Sequence, residues 1–194
     1  MLNEDIILEG CRELDPGAQR LFYEHFAPTM QRVCLRYSSN LDEAQDIMQE
    51  GFIKAFLNIR KFLKKGSLEG WLKRIMINTA ITHFKKHKNW NEQIKNNQSH
   101  SGRDHVDLAA ETEVDKDDIW ERYLEIEPST LLSIIQDLPD GYRLVFNMYF
   151  MEGLPHREIG EILQIDEITS RTRLLRARKS IQQKIAQLVT NNTI

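Results

Sequence analysis

The stretch LPHREIGEILQIDEITSRTRLLRARKSI, residues 154–181, decides the fold of the carboxyl-terminal third of this 194-residue chain. Pro155 suits the first position of a short helix that ends at Leu163, and Asp166 suits the N-cap of a helix that runs to about Leu188. About three residues separate the two helices. This layout, with an Arg-rich second helix, is typical of a helix-turn-helix whose second helix enters the major groove of DNA.

The helical period sorts the side chains of that second helix. Ser170, Leu174 and Ala177 fall on the inward face. Arg suits bidentate contacts with guanine and Thr suits phosphates or base edges, so the remaining side chains favour DNA recognition. A solvated charged face is the simpler alternative, and the preceding helix and turn argue against it. The outward and flanking residues are Arg171, Thr172, Arg173, Leu175, Arg176, Arg178 and Lys179.

Two further short helices are predicted upstream of the helix-turn-helix. One ends at Pro139 and the other at Gly153, each with apolar residues at helical spacing. Residues 128–194 therefore form one small helical domain. It is preceded by residues 91–127, an acidic segment of net charge −7, of which residues 91–118 contain too few apolar residues to form a core. We interpret this segment as a flexible acidic linker that holds the flanking domains at no fixed distance.

Residues 1–90 are expected to form a first helical domain. Apolar residues from Ala44 to Ile59 follow the i, i+3, i+4, i+7 pattern of a core-facing helix. The pattern resumes from Leu68 to Ala80, after a break at which Ser67 can cap. Pro28 is expected near the start of an earlier helix. The predicted fold is all-α, with two small helical domains and no convincing strand pattern.

The helix that begins near Ala44 has an unusual outward face. Asp46, Gln49, Glu50 and Ile53 lie opposite the buried residues, with Leu57 beyond them. A solvated carboxylate cluster would explain the acidic end of this face but not its two apolar side chains. The face therefore predicts a protein partner.

The next helix is basic. Residues 60–88 contain nine Lys and Arg and a single acid, Glu69. Aromatic Trp71, Phe84 and Trp90 are interleaved, although Trp71 suits the core better than the surface. Basic and aromatic residues together are typical of a surface for single-stranded nucleic acid, where charges follow phosphates and rings receive bases.

The pattern argues against enzymes, metal sites and membrane spans. His83 and His87 are four residues apart on a helix, but Phe84 stands where a zinc protease has its Glu. Cys11 and Cys34 form no CxxC pair and suit buried positions in a reducing compartment. No phosphate-binding glycine loop and no apolar run of about 20 residues is present. We expect no catalytic residue, metal or cofactor, no membrane insertion, and a cytoplasmic location.

Three segments occur in order: DEAQDIMQEGFIKAF (residues 42–56), SLEGWLKRIMINTAITHFKKHKN (residues 67–89) and residues 138–181, which include the opening stretch. In sequence and spacing they resemble the two domains of bacterial sigma factors of the extracytoplasmic-function group. The resemblance implies a subunit that binds core RNA polymerase, melts and reads the −10 promoter element with its first domain, and recognises the −35 element with its second. It also implies an anti-sigma factor as a partner.

The resemblance assigns roles residue by residue. Polymerase docking is implied for Asp46, Gln49 and Glu50, to which the exposed face adds Ile53. The loop of residues 59–66 matches the reader of a flipped −10 base. The implied −10 contacts are Arg60, Lys61, Lys64, Lys73, Arg74, Asn78, Lys85 and Lys86, and the implied −35 contacts are Thr169, Arg171, Thr172, Arg173 and Arg176.

Four positions depart from the family pattern. Thr82 stands where Asp is usual, Gln164 and Ile168 where Gly is usual, and Ser170 where Val is usual. Gln164 must therefore take up a tight turn without the freedom of glycine, and Ser170 must place a hydroxyl in the core. The alternative function is a two-domain helix-turn-helix transcriptional regulator, which would need a ligand pocket or dimer interface in its first domain.

Overall fold

The computed structural model describes residues 4–87 and 126–191, and every regular element within these two ranges is a helix. This agrees with the all-α prediction. The predicted linker, residues 91–127, lies outside the described residues except for its last two. The helices are α1 (Glu4–Arg12), α2 (Pro16–Tyr37), α3 (Leu41–Asn58), α4 (Leu68–His87), α5 (Pro128–Gln136), α6 (Asp140–Phe150), α7 (His156–Leu163) and α8 (Glu167–Asn191), with a 3₁₀ turn at Ile59–Lys61.

Helix α2 continues through Pro28, so the prediction that Pro28 lies near a helix start is wrong. Proline lacks the N–H that would bond to the carbonyl four residues earlier, and an interior proline costs about 3 kcal/mol. Apolar side chains on both sides of it, including Phe26 and Met30, are buried in the same core. Tertiary packing therefore holds the helix together across the proline. The actual start of α2 is capped by Asp15, whose carboxylate accepts from Ala18 N at 2.7 Å.

The two predicted core-facing patterns are confirmed. Ile47, Phe52 and Ala55 of α3 are buried, as are Leu72 and Met76 of α4. Ser67 caps α4 by accepting a hydrogen bond from Gly70 N at 3.0 Å. Helices α3 and α4 pack directly against each other and against α2, so the amino-terminal helices share one core.

Both cysteines lie in this core. Cys11 and Cys34 are buried and free of disulfide bonds, as expected from their small size and spacing. Burial raises the pKa of the Cys11 thiol to about 11 and that of Cys34 to about 12. Both side chains are therefore neutral packing residues at physiological pH.

The helix-turn-helix forms as predicted between α7 and α8. Pro155 is the N-cap of α7, one position before the helix. Asp166 caps α8 by accepting from Thr169 N at 2.5 Å, and this bond lowers the pKa of the carboxyl. Gly160 permits the tight approach of the two helices, because a Cβ there would lie 2.7 Å from Ile165 O.

The two departures expected to affect this motif are both accommodated. Gln164 takes the left-handed conformation, with φ 58° and ψ 46°, at the end of α7. Ser170 is buried, and its Oγ lies 2.9 Å from Nδ1 of the buried His156. The His156 ring stacks on Tyr149 at 4.8 Å between centroids. A histidine thus satisfies the inward hydroxyl, which removes the desolvation cost of burying it alone.

Replacing Gln164 by glycine is expected to raise the free energy of unfolding by about 1 kcal/mol, because glycine adopts φ > 0 without a Cβ clash. Urea unfolding of the full chain measures this. Glu161→Gly, three residues earlier in the exposed middle of α7, is the matched control and should lower the same free energy by about 1 kcal/mol. A loss of stability in Gln164→Gly would contradict the interpretation that the left-handed conformation of Gln164 is strained.

The carboxyl-terminal end of α2 is covered by side chains from α5 and α6. Gln136 Nε2 donates to Leu35 O at 3.1 Å, Asn147 Nδ2 to Arg36 O at 2.8 Å, and Arg143 Nε to Tyr37 O at 3.2 Å. The last carbonyls of a helix have no partner within it, so these donors satisfy groups that would otherwise need water. The two sets of helices, α1–α4 and α5–α8, therefore pack against each other. This differs from the expectation that the linker holds the two domains at no fixed distance.

Arg143 is the centre of this contact. It is only 1% exposed and also donates to Gln136 O at 2.8 Å and to Leu138 O at 2.7 Å. Its charge is balanced by an ion pair with Asp140. The guanidinium also lies 5.3 Å from the ring centroid of Phe84 on α4. A buried charge with this many partners fixes how α5 and α6 meet the amino-terminal helices.

Candidate nucleic-acid and polymerase interfaces

The outward side of α3 carries the four residues predicted to dock on a protein. Asp46 and Gln49 are exposed, and Ile53 is 54% exposed. Leu57, one turn further along, is 77% exposed. Charged and apolar side chains thus share one solvent-facing side of the helix.

Glu50 differs from its neighbours on this face. It is half-buried, and its Oε1 lies 2.7 Å from Lys54 Nζ. This hydrogen bond lowers the pKa of Glu50. Lys54 in turn donates to Thr79 Oγ1 of α4 at 3.3 Å. Glu50 is therefore held in place from both helices, whereas Asp46 extends freely into solvent.

The 59–66 loop joins α3 to α4 and is anchored at two points. Ile59 and Phe62 are buried, and the Phe62 ring packs on Trp71 with centroids 5.4 Å apart. Trp71 is thus half-buried against the core, in agreement with the prediction that it suits the core better than the surface. Between the anchors and α4, Leu63 is 71% exposed and Lys64 has φ 55°. The predicted −10 contacts Arg60, Lys61 and Lys64 are all exposed on this loop.

Helix α1 contacts the same loop from the other side. Arg12 Nη2 donates to Phe62 O at 2.8 Å, and Arg60 Nε donates to Arg12 O at 2.9 Å. Lys64 Nζ lies 2.5 Å from Asp5 Oδ1. Two of the predicted DNA contacts, Arg60 and Lys64, are therefore bonded to α1.

The predicted DNA-contacting residues of α4 fall into two groups. Arg74, Asn78 and Lys86 are exposed. Lys73 and Lys85 instead contact the carboxyl-terminal part of the chain. Lys73 Nζ lies 2.7 Å from Oε2 of Glu152, in the turn after α6, and Lys85 Nζ donates to Ile162 O of α7 at 3.2 Å.

Phe84 is only 2% exposed, so the idea that it is interleaved with the basic residues as a stacking surface is wrong. Its position on the inward side of α4, next to Ala80 and Ile81 in the core, explains the burial. Trp90 and the side chain of His87 lie outside the described residues.

Helix α8 presents the surface predicted for duplex DNA. Ser170, Leu174 and Ala177 are buried, as expected. Arg171 is exposed and pairs with Glu167 at 2.6 Å. Arg176 is half-buried, with Nη1 3.4 Å from Tyr142 Oη. The half-buried hydroxyls Thr169 and Thr172 lie on the same stretch of helix.

Arg173 does not share this surface. It is 4% exposed, and burial lowers its pKa. Its guanidinium packs against Gly141 of α6, where a Cβ would lie 3.0 Å from Nη1. The flank position assigned to Arg173 from the helical period turns towards α6, and the described conformation leaves it no surface for DNA.

Sequence reasoning missed the polar residues between the two sets of helices. Asp140, Arg143 and Asn147 are spaced i, i+3 and i+7 on a helix whose other residues from 144 to 148 are apolar and buried. Polar residues at helical spacing on an otherwise apolar helix are a detectable signal of a buried polar contact. The contacts of α1 left no such signal, because two of them use backbone carbonyls and the third joins the exposed Asp5 and Lys64, which are far apart in the sequence.

Within the two described ranges, none of the helices combines the length and the apolar character needed to cross a membrane.

Comparison with known proteins places both sets of helices in one family. Residues 22–89 match the model of sigma-70 region 2, and residues 129–181 match that of sigma-70 region 4. The first match covers most of α2, α3, the 59–66 loop and α4. The second covers α5, α6, the helix-turn-helix and the first half of α8.

Similar proteins match along nearly the whole chain. The ECF RNA polymerase sigma factor SigW of Bacillus subtilis is 29% identical over 95% of this chain and 100% of its own length. The RNA polymerase sigma-H factor of Pseudomonas aeruginosa is 30% identical, with 94% of each chain covered. The sigma factor RpoE of Bartonella quintana, solved with the anti-sigma factor NepR, has a TM-score of 0.49 at 17% identity, covering 87% of this chain and 96% of its own. The chain belongs to the extracytoplasmic-function group of RNA polymerase sigma factors, which direct promoter-specific initiation of transcription.

Proposed function

We propose that this sigma factor divides promoter recognition among three surfaces. The outward side of α3 docks on core RNA polymerase, α4 and the 59–66 loop melt and read the −10 element, and α8 reads the −35 element. The observation that carries the proposal is the division of α8: Ser170, Leu174 and Ala177 are buried, whereas Arg171 and Arg176 reach the surface beside two threonines. A recognition helix needs this arrangement to enter a major groove while it stays packed on its domain.

The docking assignment is supported by the composition of the α3 surface. Ile53 and Leu57 are more than half exposed, although burial of such side chains is favourable. Asp46 beside them adds a charge that can select a basic partner and speed its encounter. Glu50 contributes through a fixed position, because it pairs with Lys54, which is itself bonded to Thr79 of α4.

The −10 assignment is supported by the exposed cations of α4 and the loop. Arg74 and Lys86 can follow the phosphates of a separated strand, and Asn78 can bond to base edges or to the sugar-phosphate backbone. The exposed Leu63 suits contact with an unstacked base. Phe84 and Arg173 contribute to packing instead of DNA contact.

Two of the α4 cations assigned to the −10 element are bonded to the carboxyl-terminal part of the chain in this conformation. Lys73 pairs with Glu152, and Lys85 bonds to Ile162 O. For all of α4 to contact DNA, the carboxyl-terminal helices must move away. We infer that binding to core polymerase separates the two sets of helices and so uncovers these lysines.

The same packing suggests how an anti-sigma factor acts. A protein that binds across both sets of helices in their packed arrangement keeps Lys73 and Lys85 covered and competes with polymerase. In this proposal the sigma factor works in the cytoplasm, where polymerase is found, and the polymerase supplies the chemistry of RNA synthesis.

The test is reconstitution with core RNA polymerase. The purified chain should form a stable complex with the core enzyme and start transcription at discrete sites on genomic DNA of the source organism. A two-domain regulator would instead bind duplex DNA tightly by itself and have no affinity for core polymerase. Tight, sequence-specific duplex binding by the free chain, without a polymerase complex, would overturn the proposal.

Arg176→Ala is expected to weaken binding of the reconstituted polymerase complex to its promoter by roughly 1–3 kcal/mol, because an arginine that reads a base loses its contacts. The measurement is promoter affinity with the native −35 element and with a scrambled one. Lys184→Ala, two turns further along α8, is the control and should leave the preference for the native element unchanged. If Arg176→Ala keeps the full preference, Arg176 does not read the −35 element.

A further inference from the structure

The 59–66 loop is bonded to a helix that lies far from it in the sequence. Arg12 at the end of α1 makes two of these bonds: Nη2 donates to Phe62 O at 2.8 Å, and its own carbonyl accepts from Arg60 Nε at 2.9 Å. Asp5, at the start of α1, pairs with Lys64 at 2.5 Å. Helix α1 therefore contacts the loop at three residues: Arg60 near its beginning, the buried Phe62, and Lys64 after the exposed Leu63.

The loop needs such support. A segment that reads a base must be held in one conformation before the base arrives, since ordering it at that moment costs conformational entropy. Lys64 is in the left-handed region, with φ 55°, which a non-glycine residue adopts only when its surroundings hold it there. Helix α1 supplies this support at two points, because Arg12 donates to the Phe62 carbonyl and Asp5 accepts from Lys64.

Arg12 is suited to a positioning role. It is half-buried at the carboxyl-terminal end of α1, and Glu9 orients its guanidinium through Nη1 at 3.2 Å. The attachment of α1 to the core depends on other residues, since Ile7, Leu8 and Cys11 are buried against it. Loss of the Arg12 side chain should therefore loosen the loop while leaving the helix in place.

We propose that α1 acts as a brace, which means that it holds the 59–66 loop in one conformation, and that Arg12 is a positioning residue for reading of the −10 element. This inference rests on the proposed function, in which the loop reads a base. Arg12 acts through the loop backbone and makes no contact with DNA itself. Asp5 adds a second, exposed attachment through Lys64.

The test uses the full chain assembled with core polymerase and a pool of single-stranded DNA with a short randomised segment. Bound molecules are sequenced to obtain the enrichment of each base. Arg12→Gln should reduce the strongest enrichment roughly 3- to 10-fold, the change expected for one net hydrogen bond, while overall affinity for the pool stays the same. Arg12→Lys, which can still donate to Phe62 O, should restore most of it. Glu4→Gln, at the start of the same helix, is the matched control and should behave as wild type.

Amide hydrogen exchange provides a second measurement. Residues 62–65 should exchange faster in Arg12→Gln than in Glu4→Gln, with α2 and α4 unchanged. If Arg12→Gln proves unstable, Asp5→Asn replaces it, because Asp5 lies on the surface and its loss should also speed exchange at Lys64. Equal exchange at the loop in these variants and the control would overturn the brace.

Leu63→Ala separates this inference from the function on which it rests. If Leu63→Ala loses base enrichment and Arg12→Gln keeps it, the loop reads DNA and the brace is wrong. If Leu63→Ala also keeps enrichment, the loop does not read a base, and both the −10 assignment of the loop and the role of Arg12 fall.

Discussion

Replacing Arg143 by methionine is expected to lower the free energy of unfolding by about 3–5 kcal/mol, the cost of breaking a buried ion pair from one side. The variant loses the hydrogen bonds that Arg143 donates to Tyr37 O, Gln136 O and Leu138 O, together with the ion pair to Asp140. Methionine matches the length of the arginine stem, so the effect comes from charge and hydrogen bonding more than from a cavity. Urea unfolding followed by circular dichroism measures it.

Two further variants show whether the effect belongs to this site. Arg157→Met removes an arginine whose side chain is 83% exposed and should change the free energy of unfolding by less than about 0.5 kcal/mol. The double variant Arg143→Met, Asp140→Leu removes both charges and should recover part of the loss. A single variant as stable as wild type would mean that water replaces the guanidinium at no cost.

Reversing the charge on the outward side of α3 should have the second large effect. The double variant Asp46→Lys, Gln49→Lys changes two exposed residues and leaves the Glu50–Lys54 pair intact. Like charges brought together in an interface cost several kcal/mol, so affinity for core polymerase should fall by at least about 100-fold. Helical content and melting temperature should stay nearly constant, because the buried side of α3 is untouched.

Gln45→Lys is the matched control for this variant. It adds a positive charge to the same helix, also at an exposed residue, but to the side of the Asp46–Ile53 surface. Its polymerase affinity should stay within about threefold of wild type, since an isolated surface charge away from an interface contributes little. Normal affinity in the double variant would remove the docking role of α3, and a collapsed fold would mean that Asp46 is structural.

The helices were predictable wherever a local feature of the sequence, such as apolar spacing or an N-capping side chain, determines the structure. The buried pattern of α3 and α4 follows from a spacing of three and four residues, and Ser67 and Asp166 cap as their side chains allow. The tight turn at Gln164 was expected from the resemblance, since the family usually has Gly there, and Gln164 takes the left-handed conformation.

Prediction failed where contacts between distant parts of the chain determine whether a helix continues or a side chain is buried. Pro28 signals a break locally, but the core on both sides of it holds α2 together. Arg173 was assigned to a flank of α8, yet α6 covers it. Phe84 was grouped with the basic residues of α4, although it follows the buried Ala80 by four residues and so lies on the inward side of the helix. The outcomes at Pro28 and Arg173 depend on which helices pack together, and the period of a single helix carries no such information.

The candidate site shows the same division. The exposed sides of α3 and α8 were predictable, because residues on the side of a helix opposite its buried side face the solvent. The contacts of Lys73 with Glu152 and of Arg12 with the 59–66 loop were not, since each joins groups that are about 50 or more residues apart. No local pattern links such pairs.

The capping of α2 by Gln136, Arg143 and Asn147 has a consequence for the thermodynamics of polymerase binding. A protein that binds only the separated form competes with this internal contact, and its apparent dissociation constant is the intrinsic value divided by the separated fraction. With about one molecule in a hundred separated, the apparent constant is about 100-fold weaker. Substitutions that loosen the contact without unfolding the chain should therefore lower thermal stability and, at limiting polymerase, raise the rate of initiation.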